Sequence, residues 1–155
     1  MATKTQKLAG GGIAAALALA VPIVATWEGK RNDPYLDVVG VPTVCYGETR
    51  VAMRRYSDAE CTAMLEKAVR GFAEPVARCS PTIADRPYQL AAATSLAYNI
   101  GVAAYCRSTA DRRFDARDFK GGCAAMKFWN KAGGRVWQGL VNRRAAEYRL
   151  CMVGL

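Results

Sequence analysis

Residues 26–49 read TWEGKRNDPYLDVVGVPTVCYGET, and this stretch decides both the fold class and the candidate chemistry. Within it, Glu28, Asp37 and Thr43 form the pattern E-x8-D-x5-T. Hydrolysis of a glycosidic bond uses one carboxyl group to protonate the leaving oxygen and a second carboxylate on the opposite face of the sugar. Glu28 and Asp37 can supply that pair.

Each of the three residue types suits a separate task. Glu28 follows an apolar run and Trp27, so we expect it at a helix end against apolar surface, where desolvation favours the protonated form of a carboxyl group. Asp37 lies in a polar stretch punctuated by glycine and proline, where a carboxylate stays solvated and ionised. The hydroxyl of Thr43 can both donate and accept, which suits holding a water near Asp37.

The pattern resembles that of the phage-type lysozymes, which cleave murein. The resemblance runs from about Trp27 to Cys151 and also rests on the YNIG of Tyr98 to Gly101, on Trp129 and on GLVNRR at Gly139 to Arg144. It implies an α+β, lysozyme-like fold, with a small β-hairpin or sheet lobe at about residues 33–56 and a larger helical lobe, joined by a long helix. It also implies that Glu28 donates the proton, that Asp37 and Thr43 guide water, and that no metal or cofactor takes part.

Several other residues have two interpretations. Asn99 lies in the family's Y-N-x-G stretch and is a candidate sugar contact, although an Asn before Gly101 also suits a helix end. Many relatives carry His where this chain has Glu48, which we interpret as structural with a substrate contact as the alternative. Tryptophans at positions 129 and 137 could stack on sugars but are expected in the core. Residues 143 and 144, both arginine, are also expected to be structural.

The rest of the chain has helical patterns. Ser57 to Glu60 reads as a capping box, which predicts a helix beginning there. Apolar spacing, glycines and prolines predict the helix bounds. The predicted helices run from Ser57 to the Pro75 region, from Arg86 to Asn99, from Asp115 or Ala116 to Trp129, and from about Val141 to Met152.

The N-terminus predicts a membrane segment. After Lys4 and Lys7, residues 8–27 carry no charge over twenty positions, about the number an α-helix needs to cross the hydrocarbon core. Seven are Ala and three are Gly, so the drive for insertion is weak. The lysines favour a cytoplasmic N-terminus and an outward catalytic domain. A cleaved signal peptide is the alternative, because Ala16-Leu17-Ala18 is an acceptable cleavage site.

This segment and the family resemblance together imply a signal-anchor-release endolysin. Residues 1–27 would form the anchor, whose C-terminal part becomes the catalytic helix on release, and residues 28–155 would form the muramidase domain. The enzyme would first be held at the host inner membrane through residues 8–27 and then be released to the periplasm. An ordinary buried helix in a cytoplasmic enzyme is the competing interpretation.

Six cysteines in 155 residues favour structural disulfides in an oxidising compartment. The chain has no histidine and no C-x-x-C pair, so a zinc site is not expected. The sequence alone leaves the connectivity open. The expected fold implies the pairs Cys45–Cys61, Cys79–Cys106 and Cys123–Cys151.

The composition, 52% hydrophobic and 23% charged, predicts one globular domain, which we expect to be a monomer. The net charge of +9 invites a nucleic-acid interpretation, but the basic residues are dispersed and no nucleic-acid motif accompanies them. Attraction to anionic murein and lipid explains the charge equally well. The sequence therefore predicts an endolysin that acts on peptidoglycan. A catalytically inactive scaffold and a basic membrane-disrupting protein are the alternatives.

Overall fold

A computed structural model describes the backbone of residues 4–155 and the side chains of residues 11–155. Residues 1–3 and the side chains of residues 4–10, which include Lys4 and Lys7 of the predicted anchor, lie outside the described part. The helices are α1 (Lys4–Glu28), α2 (Asp58–Cys79), α3 (Pro87–Ile100), α4 (Val102–Tyr105), α5 (Thr109–Asp115), α6 (Phe119–Met126) and α7 (Gln138–Cys151). The strands are β1 (Arg31–Leu36), β2 (Pro42–Cys45), β3 (Lys131–Ala132) and β4 (Arg135–Val136).

The predicted α+β class with a small sheet lobe is confirmed. Strands β1 and β2 form an antiparallel hairpin in which Tyr35 pairs with Thr43 and Leu36 pairs with Pro42. Behind it lies a separate small core, formed by Val44, Cys45, Tyr56 and Cys61. The long helix α2 leads from this lobe into the helical lobe.

The capping box at the start of α2 is also confirmed. The Ser57 hydroxyl accepts a hydrogen bond from the Glu60 backbone nitrogen, and the Glu60 carboxylate accepts one from the Ser57 nitrogen. Two exposed ion pairs lie near this end of the helix: Lys30 pairs with Asp58 of α2, and Arg55 pairs with Asp33 within the hairpin lobe.

Helix α3 is the centre of the larger lobe. Its residues 89–97 are all buried, because α1, α2 and α7 pack around it. Helix α1 contributes a face of small and aliphatic side chains, each at most 9% exposed: Ala16, Leu17, Ala20, Val21 and Val24. The segment Gly11–Glu28 of the same helix, with a mean hydropathy of 1.6, is long and apolar enough to cross a membrane.

Three helix predictions were wrong at their boundaries. The helix expected from Asp115 or Ala116 to Trp129 is the shorter α6, because Arg117 takes a left-handed conformation with φ 60° and Asp118 caps α6 through Gly121 N. Helices α4 and α5 were not predicted. Helix α2 continues through Pro75 to Cys79. Helix α7 begins at Gln138 rather than Val141, directly after a β3–β4 hairpin whose turn is formed by two glycines with positive φ.

The three expected disulfides are present. Cys45–Cys61 joins β2 to α2, Cys79–Cys106 joins the end of α2 to the end of α4, and Cys123–Cys151 joins α6 to α7. Each bond therefore links two neighbouring elements.

Candidate active site

Glu28 is the last residue of α1, where the helix meets the hairpin lobe. Its side chain is 29% exposed, and Oε1 accepts a hydrogen bond from Arg143 Nη1 at 2.9 Å. The predicted helix end is confirmed. The expected apolar surface is only part of its surroundings, because the packing of α7 on α3 brings the Arg143 guanidinium to this carboxylate.

Glu28 also lines a cavity of about 250 Å³ between the two lobes. The hairpin contributes Arg31, Tyr35 and Cys45 to this cavity, and the two residues between α1 and β1, Gly29 and Lys30, complete its lining. The carboxylate thus faces a small, largely polar space that is bounded by the hairpin.

Asp37 directly follows β1, in the turn of the hairpin. Its Oδ1 accepts hydrogen bonds from the backbone nitrogens of Val39 and Val41, both at 2.9 Å. The Asp37 backbone nitrogen also bonds to the Val41 oxygen at 3.0 Å. Two backbone donors on one oxygen fix the position of the carboxylate within the turn.

Thr43 lies on β2 and is 3% exposed. Its hydroxyl donates to the Val41 carbonyl at 2.9 Å, so its oxygen remains able to accept another hydrogen bond. Tyr35 pairs with Thr43, and Asp37 follows Tyr35 by two positions, so the alternation of side chains places Asp37 and Thr43 on the same face of the hairpin.

Behind Glu28 lies a buried network of charged groups on α7. Arg143, Arg144 and Glu147 are 5%, 1% and 0% exposed. The Glu147 carboxylate accepts from Ser95 Oγ at 2.6 Å, from Arg144 Nη2 at 2.9 Å and from Arg143 Nε at 3.3 Å. Arg143 therefore contacts Glu147 through one nitrogen and Glu28 through another.

This network was not found from the sequence, which predicted only a structural role for Arg143 and Arg144. The one available signal was spacing, since Glu147 follows the two arginines by four and three positions and so shares their helix face. Burial raises the pKa of Glu147, while Arg144, Ser95 and Arg143 favour its ionised form. Burial likewise lowers the pKa of Arg144.

Asn99 lies exposed in the last turn of α3, and its Oδ1 accepts from Arg144 Nη1 at 3.0 Å. It is therefore joined to the same network, which supports the structural interpretation and leaves a sugar contact as a prediction. Next to it, burial raises the pKa of Tyr98, and the charges of Glu28 and Glu48 add to the rise. The backbone of Glu48 forms a two-way bridge with Val44, as a structural residue would.

The two tryptophans differ. Trp129 packs against the main core, as predicted, whereas Trp137 is 54% exposed and donates from its indole nitrogen to the Ala132 carbonyl. The core prediction for Trp137 is therefore wrong, because the β3–β4 hairpin holds it at the surface. With Trp27 and Arg143 it lines a further cavity of about 420 Å³.

A metal centre needs several ligands that converge on one point. In the part of the chain that the structure describes, no group of three or more His, Cys, Asp or Glu side chains has that arrangement.

Residues 25–147 match the family described as phage lysozyme. The chain is 39% identical over 132 residues to the SAR-endolysin of Bacteriophage PS119, covering 82% of this chain and 77% of that protein. It is 37% identical over 145 residues to the SAR-endolysin of Escherichia phage Mu, covering 90% and 82%. The active form of the P1 phage endolysin Lyz has the same fold, with a TM-score of 0.76 at 23% identity over 88% of this chain and 84% of that one.

Proposed function

This chain belongs to the phage lysozyme family, and from that premise we propose that it is an endolysin that hydrolyses the β-1,4 bond between N-acetylmuramic acid and N-acetylglucosamine in peptidoglycan. The observation that carries the proposal is the position of Glu28. A carboxylate at the junction of the two lobes faces a cavity bounded by the hairpin that holds Asp37 and Thr43. Lysis of the host cell follows from cutting its wall.

In the proposed mechanism Glu28 protonates the leaving oxygen. Asp37, fixed by two backbone donors, and Thr43, on the same face of the hairpin, position a water whose oxygen attacks the anomeric carbon as the bond to the leaving oxygen breaks, and Asp37 accepts the proton that this water loses. A single displacement by water inverts the anomeric configuration, whereas a carboxylate that attacked directly would retain it. The fixed Oδ1 of Asp37 suits the water-guiding role, so we propose an inverting reaction.

The N-terminal segment is proposed to act before catalysis. Residues 8–27 would hold the protein in the inner membrane with its N-terminus in the cytoplasm and the catalytic domain outside. After release to the periplasm as a monomer, the same residues would form the core face of α1. The apolar segment Gly11–Glu28 and the buried side chains of Ala16, Leu17 and Val24 support both uses of one stretch.

The catalytic proposal is tested by following the turbidity of purified murein with wild-type protein, Glu28→Gln and Glu74→Gln. Glu74 is an exposed carboxylate on α2 and controls for the change in net charge. Since a positioned acid contributes roughly 10² to 10⁴ in rate, we expect only Glu28→Gln to lose clearance. Circular dichroism confirms folding in each case.

Clearance by Glu28→Gln at the wild-type rate would place the acid elsewhere. Failure of the folded wild type to clear murein would favour the inactive scaffold. For the membrane step, cell fractionation and intact mass should find full-length protein first in the membrane and then in the periplasm, whereas a shortened mass would indicate a cleaved signal peptide.

A further inference from the structure

The carboxylate of Glu147 is fully buried close to the proposed catalytic acid. Only the guanidinium of Arg143 lies between Glu147 and Glu28. Arg143 donates from Nε to Glu147 and from Nη1 to Glu28. Arg144 is the second buried cation, with Nε 2.7 Å from Glu147 Oε2. Ser95 of α3 anchors two of these side chains: its hydroxyl donates to Glu147, and its carbonyl accepts from Arg143.

The charges in this cluster depend on Glu147. Two buried guanidiniums face one buried carboxylate and Glu28, so the cluster sums to zero when Glu28 is ionised and to one positive charge when it is protonated. Without the charge of Glu147, the protonated state of Glu28 would carry two uncompensated positive charges. Positive neighbours disfavour the protonated form of a carboxyl group, and the effect is strong where burial excludes water.

Other elements also present titratable groups to Glu28. Tyr98 on α3 lies within electrostatic reach of Glu28 and also of Glu48, which follows β2. Lys30 and Arg31 line the same cavity as Glu28, and so does Tyr35 of β1. Of these groups, Lys30 is paired with Asp58, so Arg31 is the cation of the cavity lining that lacks a carboxylate partner among the ion pairs described above.

We propose that Glu147 is a positioning residue for hydrolysis: it neutralises Arg143, so that Arg143 can hold the Glu28 side chain in place without leaving uncompensated positive charge beside the proposed acid. The inference rests on the proposed function, in which Glu28 is the acid. Glu147 itself touches no substrate and acts only through the guanidinium.

The test is the pH profile of kcat/KM for murein hydrolysis, measured for folded, full-length released enzyme. For Glu147→Gln we expect the alkaline limb to move to lower pH by about one unit, a tenfold loss on that limb. Arg144→Gln removes one cation from the same cluster, so its alkaline limb should move to higher pH. Glu147→Asp keeps the charge and should keep the limb near its wild-type position, even with a lower melting temperature.

Glu74→Gln is the matched control, because it makes the same Glu to Gln change on the exposed surface of α2 and should leave the profile unmoved. A uniform loss of activity in Glu147→Gln with an unmoved limb would overturn the inference and leave Glu147 purely structural. If Glu147→Gln does not fold, Arg144→Gln provides the test. An alkaline limb at higher pH supports the role of Glu147, whereas an alkaline limb at the wild-type position overturns it.

Measuring Glu28→Gln alongside these variants distinguishes a failure of the proposed function from a failure of the role inferred for Glu147. Activity in that variant overturns the proposed function, and this inference with it. If Glu28→Gln is inactive and both cluster variants keep the wild-type limb, only the role of Glu147 is wrong.

Discussion

Arg143 Nη1 lies 2.9 Å from Glu28 Oε1 and joins the last helix of the chain to the end of the first, across 115 positions of sequence. The guanidinium is almost completely buried, whereas the carboxylate remains partly open to the cavity between the lobes. The position of Glu28 therefore depends on how α7 packs.

Replacing Arg143 with Lys should reduce catalysis more than binding. A lysine keeps the charge but lacks the planar fork, so it cannot reach Glu28, Glu147 and the Ser95 carbonyl together. We expect kcat to fall by up to about 100-fold with KM nearly unchanged, since a small misplacement of a reacting group has effects of this size. Arg149→Lys, on the same helix but exposed, is the control, and an unchanged kcat in Arg143→Lys would contradict the expectation.

Two neighbouring glycines of α1 offer a test of how this helix packs in the released enzyme. A Cβ on Gly12 would lie 2.3 Å from the Ala84 carbonyl oxygen, whereas one on Gly11 would meet nothing within 4 Å. Gly12→Ala should therefore lower the free energy of unfolding by about 1–3 kcal/mol through overpacking. Gly11→Ala should be neutral or stabilising, because Ala favours a helix interior by about 1 kcal/mol over Gly.

Both substitutions add the same methyl group to the apolar segment, so they should affect membrane retention equally. Urea denaturation of the soluble enzyme measures the difference in stability, and cell fractionation measures retention. Equal unfolding midpoints for the two variants would show that Gly12 does not pack against Ala84 in the released enzyme.

Two of the disulfides should differ in their effect on activity, although both stabilise the fold. Removing Cys123–Cys151 as a double Ala variant opens a long loop between α6 and α7 and should lower the free energy of unfolding by roughly 3.5 kcal/mol. Removing Cys45–Cys61 should lower it by roughly 3 kcal/mol. The Cys45–Cys61 bond anchors β2 two residues after Thr43, so its loss should also reduce murein clearance in the folded enzyme.

Thermal melts and clearance at a temperature where both double variants are folded provide the comparison. Equal activity in the two variants would mean that the disulfide of the small lobe does not hold the hairpin in place for catalysis.

The capping box of α2 makes the stability of the fold depend on pH. Arg54 and the Ser57 backbone lower the pKa of Glu60 from 4.5 to about 2. Because the pKa is lower in the folded state, the stabilisation is present above pH 4.5 and is lost as the pH falls towards 2. Melting temperatures at pH 7, 4 and 2 should show wild type above Glu60→Gln at neutral pH and the two converging in acid. A gap that stays constant over this range would exclude the charge as its origin.

The parts of the fold that were predicted correctly depend on local patterns. Glycine and proline around Asp37 indicate a hairpin, and Ser57 with Glu60 indicates the start of a helix, because both signals act over a few residues. Helix α6 was predicted to begin too early, because the cap at Asp118 stands inside a stretch with a continuous helical pattern. Helices α4 and α5 were not predicted because they are too short to give a clear period.

The network behind Glu28 could not be predicted for a different reason. An Arg-Arg-x-x-Glu sequence has the same pattern on a solvated helix face as on a buried one, so the burial of Arg143 depends on the packing of α7 on α3. The catalytic roles of Asp37 and Thr43 stay predictions, as does a sugar contact by Asn99.

The exposed ion pair Lys30–Asp58 joins the segment after α1 to the start of α2, and Arg55–Asp33 closes the small lobe on itself. Dissolved salt weakens such solvent-exposed pairs. Ionic strength therefore acts inside the molecule as well as on its attraction to the wall, since it weakens contacts that hold the residues next to Glu28 in place. Inhibition by salt should accordingly persist on a short uncharged oligosaccharide, where attraction between enzyme and polymer plays no part.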